Sequence, residues 1–120
     1  MELSLEKPKN NSIIAIDEKV KLKDKTLEIP CYITNEIYLT ENIPNKFEDI
    51  TFKLIDELIT KDKITILIIG TGEKQKFLDP KLQVELSNIG IAVEVMKNAS
   101  AVYSFNILLA ENRDVGLILL

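Results

Sequence analysis

The chain has 120 residues, and its 15 lysines and arginines against 19 aspartates and glutamates give a net charge of −4. That length supports one domain and leaves no room for a second sizeable core, so we expect a single domain over 1–120. The acidic balance argues against general nucleic-acid binding, which rests on a basic surface. With 46% hydrophobic and 28% charged residues, the chain has the composition of an ordinary globular domain and is neither disordered nor fibrous.

The chain contains no histidine and a single cysteine, Cys31. This excludes catalytic triads that use imidazole, histidine zinc sites and imidazole switches near neutral pH. Cys31 has no partner for an intramolecular disulfide, and it shares a period-two apolar face with Ile29 and Ile33, which predicts a packed, unreactive thiol. The sequence predicts no metal site and no cofactor.

No targeting or membrane-spanning pattern is found in the sequence. The start of the chain, Met1 to Pro8, lacks the basic region and apolar run of a secretory signal. The longest aliphatic stretch, Ile64 to Ile69, is far shorter than the ~20 residues needed to span a bilayer. We therefore expect a cytoplasmic protein that does not span a membrane.

The amino-terminal third has the period-two pattern of half-buried strands. Its apolar positions are, in chain order, 12–16, Val20 and Leu22, alternate residues over 27–33, and Ile37 and Leu39. Turn candidates lie at 23–25 and 34–35. Because Pro30 cannot donate to a ladder, its strand is expected to be an edge strand or to carry a bulge.

Four lysines at alternate positions accompany these strands, and they are Lys19, Lys21, Lys23 and Lys25. They predict one basic stripe. Lysines on an exposed strand commonly prevent edge-to-edge pairing, which is the interpretation that we favour. RNA or phosphate binding is the minor alternative, given the net negative charge.

From residue 47 onward the apolar period lengthens, and helices alternate with strands. The predicted elements are a helix over about 47–60, a strand over 64–69, a helix opened by Asp79-Pro80 and closed by Gly90, a strand over 91–96, a helix capped by Asn98 and ended at Asn112, and a strand over 115–120. Both 64–69 and 91–96 are typical of strands covered on two faces. The order β-α-β-α-β implies right-handed crossovers and parallel strands, with function expected at their carboxyl ends. The sequence therefore predicts an α/β fold with a mixed sheet, in which antiparallel amino-terminal strands join a parallel carboxyl-terminal half.

Gly70, Thr71 and Gly72 directly follow the strongest predicted strand. Glycine permits positive φ and lets backbone N–H groups converge on a negative group, so one interpretation is a small anion or carbonyl site. However, Gln75 stands where a dinucleotide motif has its third glycine, and no Lys-Ser or Lys-Thr completes a P-loop. We favour a tight turn needed only for backbone geometry, and a generic pocket remains the alternative.

Several polar residues are predicted near the mouth of that turn, at the ends of adjacent elements: Glu73, Glu94, Asn98, Ser100 and Tyr103. Two carboxylates and a phenol are capable of acid–base work, but nothing in their spacing demands it, so no catalytic residue is assigned. Glu94 falls in mid-strand, where an acid more often marks a solvated edge or a hydrogen-bonded buried carboxyl.

Asn106 is predicted on a mostly apolar helix face beside Phe105 and Leu109. An amide there is expensive to bury unless all of its hydrogen bonds are made. We favour a role in locking neighbouring backbone groups, with a ligand contact as the alternative.

A turn, a strand and a helix in the carboxyl-terminal part of the chain carry a family resemblance. The residues are 68–72, 90–96, Ala99, Ala101, Phe105-Asn106, 108–111 and Arg113. In order and spacing they resemble the domain-of-unknown-function family 498, whose mitochondrial members act in assembling respiratory complex I. The resemblance implies an α/β fold with a central mixed sheet, protein-binding work, and no established enzymatic activity, cofactor or catalytic residue. Tyr103 stands where the family often has arginine, and Phe105 where it often has tyrosine, which weakens an inherited anion or acid–base site.

The sequence thus favours a non-catalytic protein-interaction or assembly factor. Its partners are expected to be other proteins, with self-association through an edge strand left open and no nucleic acid involved. The interface is expected to be an exposed apolar patch or an uncovered strand edge. The alternative is a small-molecule or anion-binding protein, or a modest enzyme, that uses the turn at 70–72 and forms a concave pocket there.

Overall fold

Residues 11–120, the part of the chain that the computed structural model describes, form eight strands, three α-helices and a short 3-10 helix. In chain order these are β1 (Ile13–Ile16), β2 (Lys19–Leu22), β3 (Thr26–Glu28), β4 (Cys31–Thr34), β5 (Tyr38–Leu39), the 3-10 helix (Phe47–Asp49), α1 (Phe52–Ile59), β6 (Ile66–Gly70), α2 (Pro80–Asn88), β7 (Ala92–Met96), α3 (Asn98–Ala110) and β8 (Val115–Leu119). The segment at 1–8, on which the expectation about a secretory signal rests, lies outside the described residues.

The strands form two sheets. A three-stranded antiparallel sheet has the order β1-β2-β3, and a five-stranded mixed sheet has the order β5-β4-β8-β6-β7. In the larger sheet β6 is parallel to both β7 and β8, whereas β4 runs antiparallel to β5 and β8. The α/β fold with a mixed sheet and a parallel carboxyl-terminal half is confirmed. Of the amino-terminal strands, however, only β4 and β5 join that sheet, and β1 to β3 form a sheet of their own.

The division between the sheets falls at Pro30. The sequence pattern over 27–33 predicts one strand, but β3 ends at Glu28 and β4 begins at Cys31. Since proline has no N–H to donate, pairing stops there and the chain passes from one sheet to the other. Pro30 therefore separates two strands rather than lying within an edge or bulged strand.

Each face of the five-stranded sheet is covered by its own layer. On one face, α3 and the three-stranded sheet enclose a core that includes Val20, Ile33, Phe105 and Leu117. On the other face, α1 and α2 enclose a core that includes Tyr32, Ile55, Ile69, Leu86 and Ile118. Fully burying a large apolar side chain contributes about 1.5–3 kcal/mol, so these two layers supply the main stabilisation of the fold. All residues of β4 and β8 are buried, including Tyr32, which the alternating pattern assigns to the polar face.

The prediction of a second fully buried strand at 91–96 is wrong. β7 lies at the edge of the sheet, and its residues Ala92 and Glu94 are exposed. Val93 and Val95 pack against the core beneath α1 and α2, whereas α3 lies over β6 and β8. The run of apolar residues suits burial on both faces, but α3 packs mainly over β6 and β8, which leaves Ala92 and Glu94 of β7 open to solvent.

The first helix is shorter than the predicted 47–60. The chain forms the 3-10 helix, breaks at Ile50 and begins α1 after Thr51, whose Oγ1 accepts a hydrogen bond from the Leu54 N–H at 3.2 Å. A threonine cap satisfies one of the free donors at a helix start, which explains why the helix begins anew there.

The ends of α2 follow the predicted signals. The Asp79 carboxylate accepts a hydrogen bond from the Lys81 N–H at 3.0 Å, Pro80 is the first helical residue, and Gly90 ends the turn with φ +86°. Asn112 likewise follows α3 with φ +61°. The capping role predicted for Asn98 is wrong, because the cap is Lys97 and Asn98 is the first residue of α3.

The lysine stripe does not protect a sheet edge. It is centred on β2, which pairs with β1 on one side and β3 on the other. Lys19 forms an ion pair with Glu28 at 3.0 Å, and Lys25 donates to the Tyr38 hydroxyl at 2.5 Å. The prediction of edge protection is therefore wrong, and Lys25 instead joins the small sheet to β5 of the large one.

Candidate functional site

The Gly70–Gly72 turn lies at the carboxyl end of β6, between the ends of β7 and β8. Gly70 is buried, and a Cβ atom built on it would lie 2.5 Å from Asn98 Oδ1 and 2.7 Å from Leu119 Cδ2. Real Cβ atoms do not approach so closely, so only glycine lets α3 and β8 pack here. The glycine is therefore needed for the close packing of neighbouring elements.

The backbone N–H groups of the turn are already used by the protein. The Thr71 N–H donates to the Met96 carbonyl oxygen at 3.0 Å, and the Gly72 N–H donates to Asn98 Oδ1 at 2.9 Å. The Thr71 hydroxyl donates to the Lys74 carbonyl oxygen at 2.5 Å. An anion cradle needs N–H groups that point into open space, and these two do not.

Asn98 holds three parts of the chain together. Its backbone N–H donates to the Gly72 carbonyl oxygen at 2.9 Å, and its Nδ2 donates to the Leu120 carbonyl oxygen at 3.4 Å. Together with the bond from Gly72 to Oδ1, these contacts connect the turn, the start of α3 and the chain beyond β8. The side chain thus satisfies backbone groups that the strand ends leave unpaired.

Asn106 makes a two-point contact with β1. The Ile13 N–H donates to Asn106 Oδ1 at 2.9 Å, and Asn106 Nδ2 donates to the Ile13 carbonyl oxygen at 2.8 Å. The amide thereby pairs both backbone groups of Ile13 and fixes the small sheet to α3. This is the geometry of the lock that the sequence favours.

Of the other residues predicted near the turn, Glu73 lies beside it, whereas Glu94, Ser100 and Tyr103 are not gathered around it. Glu94 is exposed in the middle of β7, Ser100 is exposed on α3, and Tyr103 on the same helix is 70% exposed. A depression of about 410 Å³ lies beside the turn, lined by Ile16, Asp17, Gly72, Glu73, Lys97, Asn98 and Ala99. Its two carboxylates oppose binding of an anion. Ligand binding at 70–72 stays a prediction, and the hydrogen bonds favour a structural role.

Two buried side chains in β4 have altered acidity. Burial raises the pKa of the Cys31 thiol to about 12, so it stays protonated at neutral pH and is unreactive as a nucleophile. Burial, and secondarily the charge of Asp62, also raises the pKa of Tyr32 well above its ordinary value. The Tyr32 hydroxyl is the buried side-chain polar group without a hydrogen-bond partner within the described residues.

A further cavity lies away from the turn, and the sequence patterns do not predict it. It is a groove of about 610 Å³ between the start of α1 and the start of α2. Three of the four phenylalanines line it, namely Phe47, Phe52 and Phe77. Phe77 is 85% exposed, and it follows a polar run at 73–76. An isolated Phe-Leu pair in a charged loop is the signal that would have indicated this groove.

The rim of the groove carries one ion pair, between Lys76 Nζ and Glu48 Oε2 at 3.3 Å. A hydrogen bond to its own backbone, together with Lys76, lowers the pKa of the exposed Glu48 carboxyl. Both groups are exposed to solvent, so the pair contributes little to stability. The groove thus combines an aromatic floor with a rim of both signs of charge.

Comparison with known proteins gives the family. Residues 15–120 match the family described as "Protein of unknown function (DUF498/DUF598)", and the chain belongs to it. It is similar to NADH dehydrogenase (ubiquinone) 1 alpha subcomplex assembly factor 3 of Xenopus tropicalis, with 32% identity over 85 residues, 70% of this chain and 46% of that protein. The chain therefore spans about half the length of this curated relative.

Solved structures share the fold. A protein from Bordetella parapertussis superposes with a TM-score of 0.81 and 26% identity, over 92% of this chain and 95% of that one. A structure described as an outer membrane protein from Bartonella henselae has a TM-score of 0.71 and 28% identity, over 93% and 95% of the two chains. Within residues 11–120, no helix has the length and apolar character that crossing a bilayer requires.

Proposed function

We propose that this protein is a non-catalytic assembly factor that acts by binding other proteins and that its target is a respiratory NADH dehydrogenase. The observation that carries the proposal is the internal use of the turn. Parallel α/β sheets usually bind small ligands at the carboxyl ends of their strands. Here the N–H groups of Thr71 and Gly72 are paired with Met96 and Asn98, which supports a structural rather than a ligand-binding role for the turn.

Two further findings support an interaction role. The relative from Xenopus tropicalis is named as an assembly factor of NADH dehydrogenase, which points to protein partners and to this target. Large apolar side chains are also exposed along one segment, among them Phe77 at 85% and Val84 at 59%. Exposed apolar groups of this size mark interaction surfaces when they cluster. A cytoplasmic location remains part of the proposal.

The test is removal of the protein from the organism that makes it. Assembled NADH dehydrogenase is then measured on native gels stained for NADH oxidation, together with the amounts of its separate subunits. We expect less assembled complex and unchanged subunit synthesis, with recovery when the wild-type chain is restored. A normal amount of complex without the protein would contradict the proposal.

A variant of the turn separates assembly from catalysis. Thr71→Val removes the hydroxyl that donates to the Lys74 carbonyl oxygen, and Thr60→Val is a matched control, since its hydroxyl donates to the Glu57 carbonyl oxygen at 2.6 Å on an exposed helix end. We expect both variants to restore the complex equally well. Failure of a folded Thr71→Val alone would favour the alternative, a binding or enzymatic function at 70–72.

A further inference from the structure

Large apolar side chains are exposed within helix α2 and in the residues just before and just after it. Of its nine residues only Leu86 is buried, and Val84 is 59% exposed in the middle of the helix. Phe77, three residues before the helix, is 85% exposed, and Ile89, one residue after it, is 43% exposed. Surface helices normally turn charged residues to solvent. We call Phe77, Lys81, Val84, Glu85 and Ile89 the α2 surface.

The neighbouring helix shows the ordinary pattern. The exposed residues of α1 are charged, namely Lys53, Asp56 and Glu57, and its apolar residues Ile55 and Leu58 are buried. Both α1 and α2 cover the same face of the sheet. The exposure of large apolar side chains is therefore specific to the α2 surface and is not shared by the whole of this side of the molecule.

The positive charge of Lys81 and the negative charge of Glu85 can pair with the opposite charges on the same surface of a second copy. Lys81 and Glu85 lie one helical turn apart, and no ion pair joins them in the structure of residues 11–120. A lysine that precedes a glutamate by four residues is the less favourable order for a pair within one helix. In two antiparallel helices related by a twofold axis near Gln83, Lys81 of each copy lies opposite Glu85 of the other.

The apolar residues obey the same symmetry. Phe77 and Ile89 are equally far from Gln83 along the chain, so the twofold arrangement brings each Phe77 toward Ile89 of the other copy. Val84 lies beside the axis, where the two helices approach most closely. Such an isologous contact uses one surface twice and closes as a dimer.

We propose that the α2 surface binds the same surface of a second copy, forming an antiparallel α2–α2 dimer with two reciprocal Lys81–Glu85 ion pairs. This dimer goes beyond the proposed assembly function and does not depend on it. A nine-residue helix is only about 14 Å long, so the contact is smaller than a standard interface. We therefore expect a dissociation constant in the micromolar range.

Self-association through the edge strand β7 is disfavoured. Gln75 Nε2 lies within hydrogen-bond distance of the Val95 carbonyl oxygen, at 3.5 Å, and covers part of that edge. An antiparallel pair of β7 strands centred on Glu94 would also place two carboxylates opposite each other, which is destabilising. The α2 surface has no such like-charge conflict.

The test is sedimentation analysis of the whole chain from low micromolar to several hundred micromolar, with charge reversals. Lys81→Glu and Glu85→Lys each create two like-charge contacts across the axis, and each is expected to weaken the dimer by about tenfold or more. Mixing the two variants in equal amounts pairs two glutamates with two lysines, so a heterodimer should form again. Recovery only in the mixture is the expected result.

Matched controls lie on α1, where Lys53→Glu and Glu57→Lys make the same charge changes on an exposed helix. Both controls are expected to dimerise like the wild type, and thermal unfolding checks that every variant is folded. A wild type that is monomeric at all concentrations, or reversals that leave the dimer intact, would overturn the proposal. So would a monomer whose α2 surface binds a different protein. The assembly experiment tests a different proposal. A monomeric chain that restores the amount of NADH dehydrogenase would contradict the dimer but support the assembly function.

Discussion

The Gly70–Gly72 turn and the α2 surface lie on one continuous segment, 70–89, yet they use their side chains in opposite ways. At the turn, the N–H groups of Thr71 and Gly72 are paired and Gly70 is packed against Asn98. On the α2 surface, apolar side chains face solvent and Lys81 and Glu85 have no ion-pair partner among the described residues. The comparison shows that a glycine-rich turn after a parallel strand can serve packing, while exposed apolar side chains lie along a nearby helix.

Among substitutions in the turn and on the α2 surface, the largest expected effect comes from filling the space at Gly70. In Gly70→Ala the new Cβ meets Asn98 Oδ1 at 2.5 Å and Leu119 Cδ2 at 2.7 Å, so α3 or β8 must move. We expect a loss of about 3 kcal/mol in the free energy of unfolding, measured with urea. Gly90→Ala is the control, because nothing lies within 4 Å of its Cβ position and only its φ of +86° is strained. Equal losses in the two variants would show that Gly70 is not closely packed.

Asn106→Ala tests the lock on β1. The substitution leaves the N–H and carbonyl oxygen of Ile13 without their partners. We expect a loss of about 2 kcal/mol, since an unpaired backbone group costs about 1–3 kcal/mol. Hydrogen exchange should show faster exchange at the Ile13 amide than in the wild type. Unchanged exchange there would mean that the amide does not hold the strand.

Burial of the Cys31 thiol is expected to lower the free energy of unfolding at alkaline pH. Its pKa is about 12 in the folded chain against an ordinary value of 9.0, so above 9.0 the unfolded chain loses the proton that the folded chain keeps. The free energy of unfolding therefore falls as pH rises, by up to about 1.4 kcal/mol per pH unit. Cys31→Ala is expected to reduce this slope in urea unfolding between pH 8 and pH 10. Identical slopes would mean that the thiol titrates alike in both states.

Tyr32→Phe removes the unpartnered hydroxyl from the core beneath α1 and α2. The ring lies against Gly116, where a built Cβ would be 2.8 Å from the hydroxyl oxygen. Because a buried hydroxyl without a partner is costly, we expect the variant to gain about 1 kcal/mol in stability. Thermal and urea unfolding measure the gain. A loss would indicate that the hydroxyl makes a stabilising hydrogen bond.

The smallest effect on stability is expected from Phe77→Ala. The side chain is 85% exposed, so its removal should change the free energy of unfolding by less than about 0.5 kcal/mol. Phe105→Ala, at a fully buried position on α3, is the contrasting variant and should lose about 3–5 kcal/mol. A large loss at Phe77 would mean that this residue belongs to the core, which would remove the difference between the turn and the α2 surface.

Much of the local structure could be predicted because its signals lie within a few residues of one another. The Asp79-Pro80 start of α2, its end at Gly90 and the end of α3 at Asn112 all follow capping rules that depend on the local backbone. The parallel order of β6, β7 and β8 followed from alternating strands and helices. The role of Asn98 is harder to predict, because its position favours a helix cap whereas its contacts connect three segments that are distant in the chain.

The sequence by itself determined the α/β class, the order of the elements and the family, because periodicity and capping act over short distances. The tertiary structure decided where each strand lies in its sheet, and therefore that β7 is an edge and β4 is buried on both faces. It also decided that Asn106 pairs with Ile13, 93 residues away, and that three phenylalanines meet in one groove. Such contacts join residues far apart in the chain, and only the packed fold brings them together.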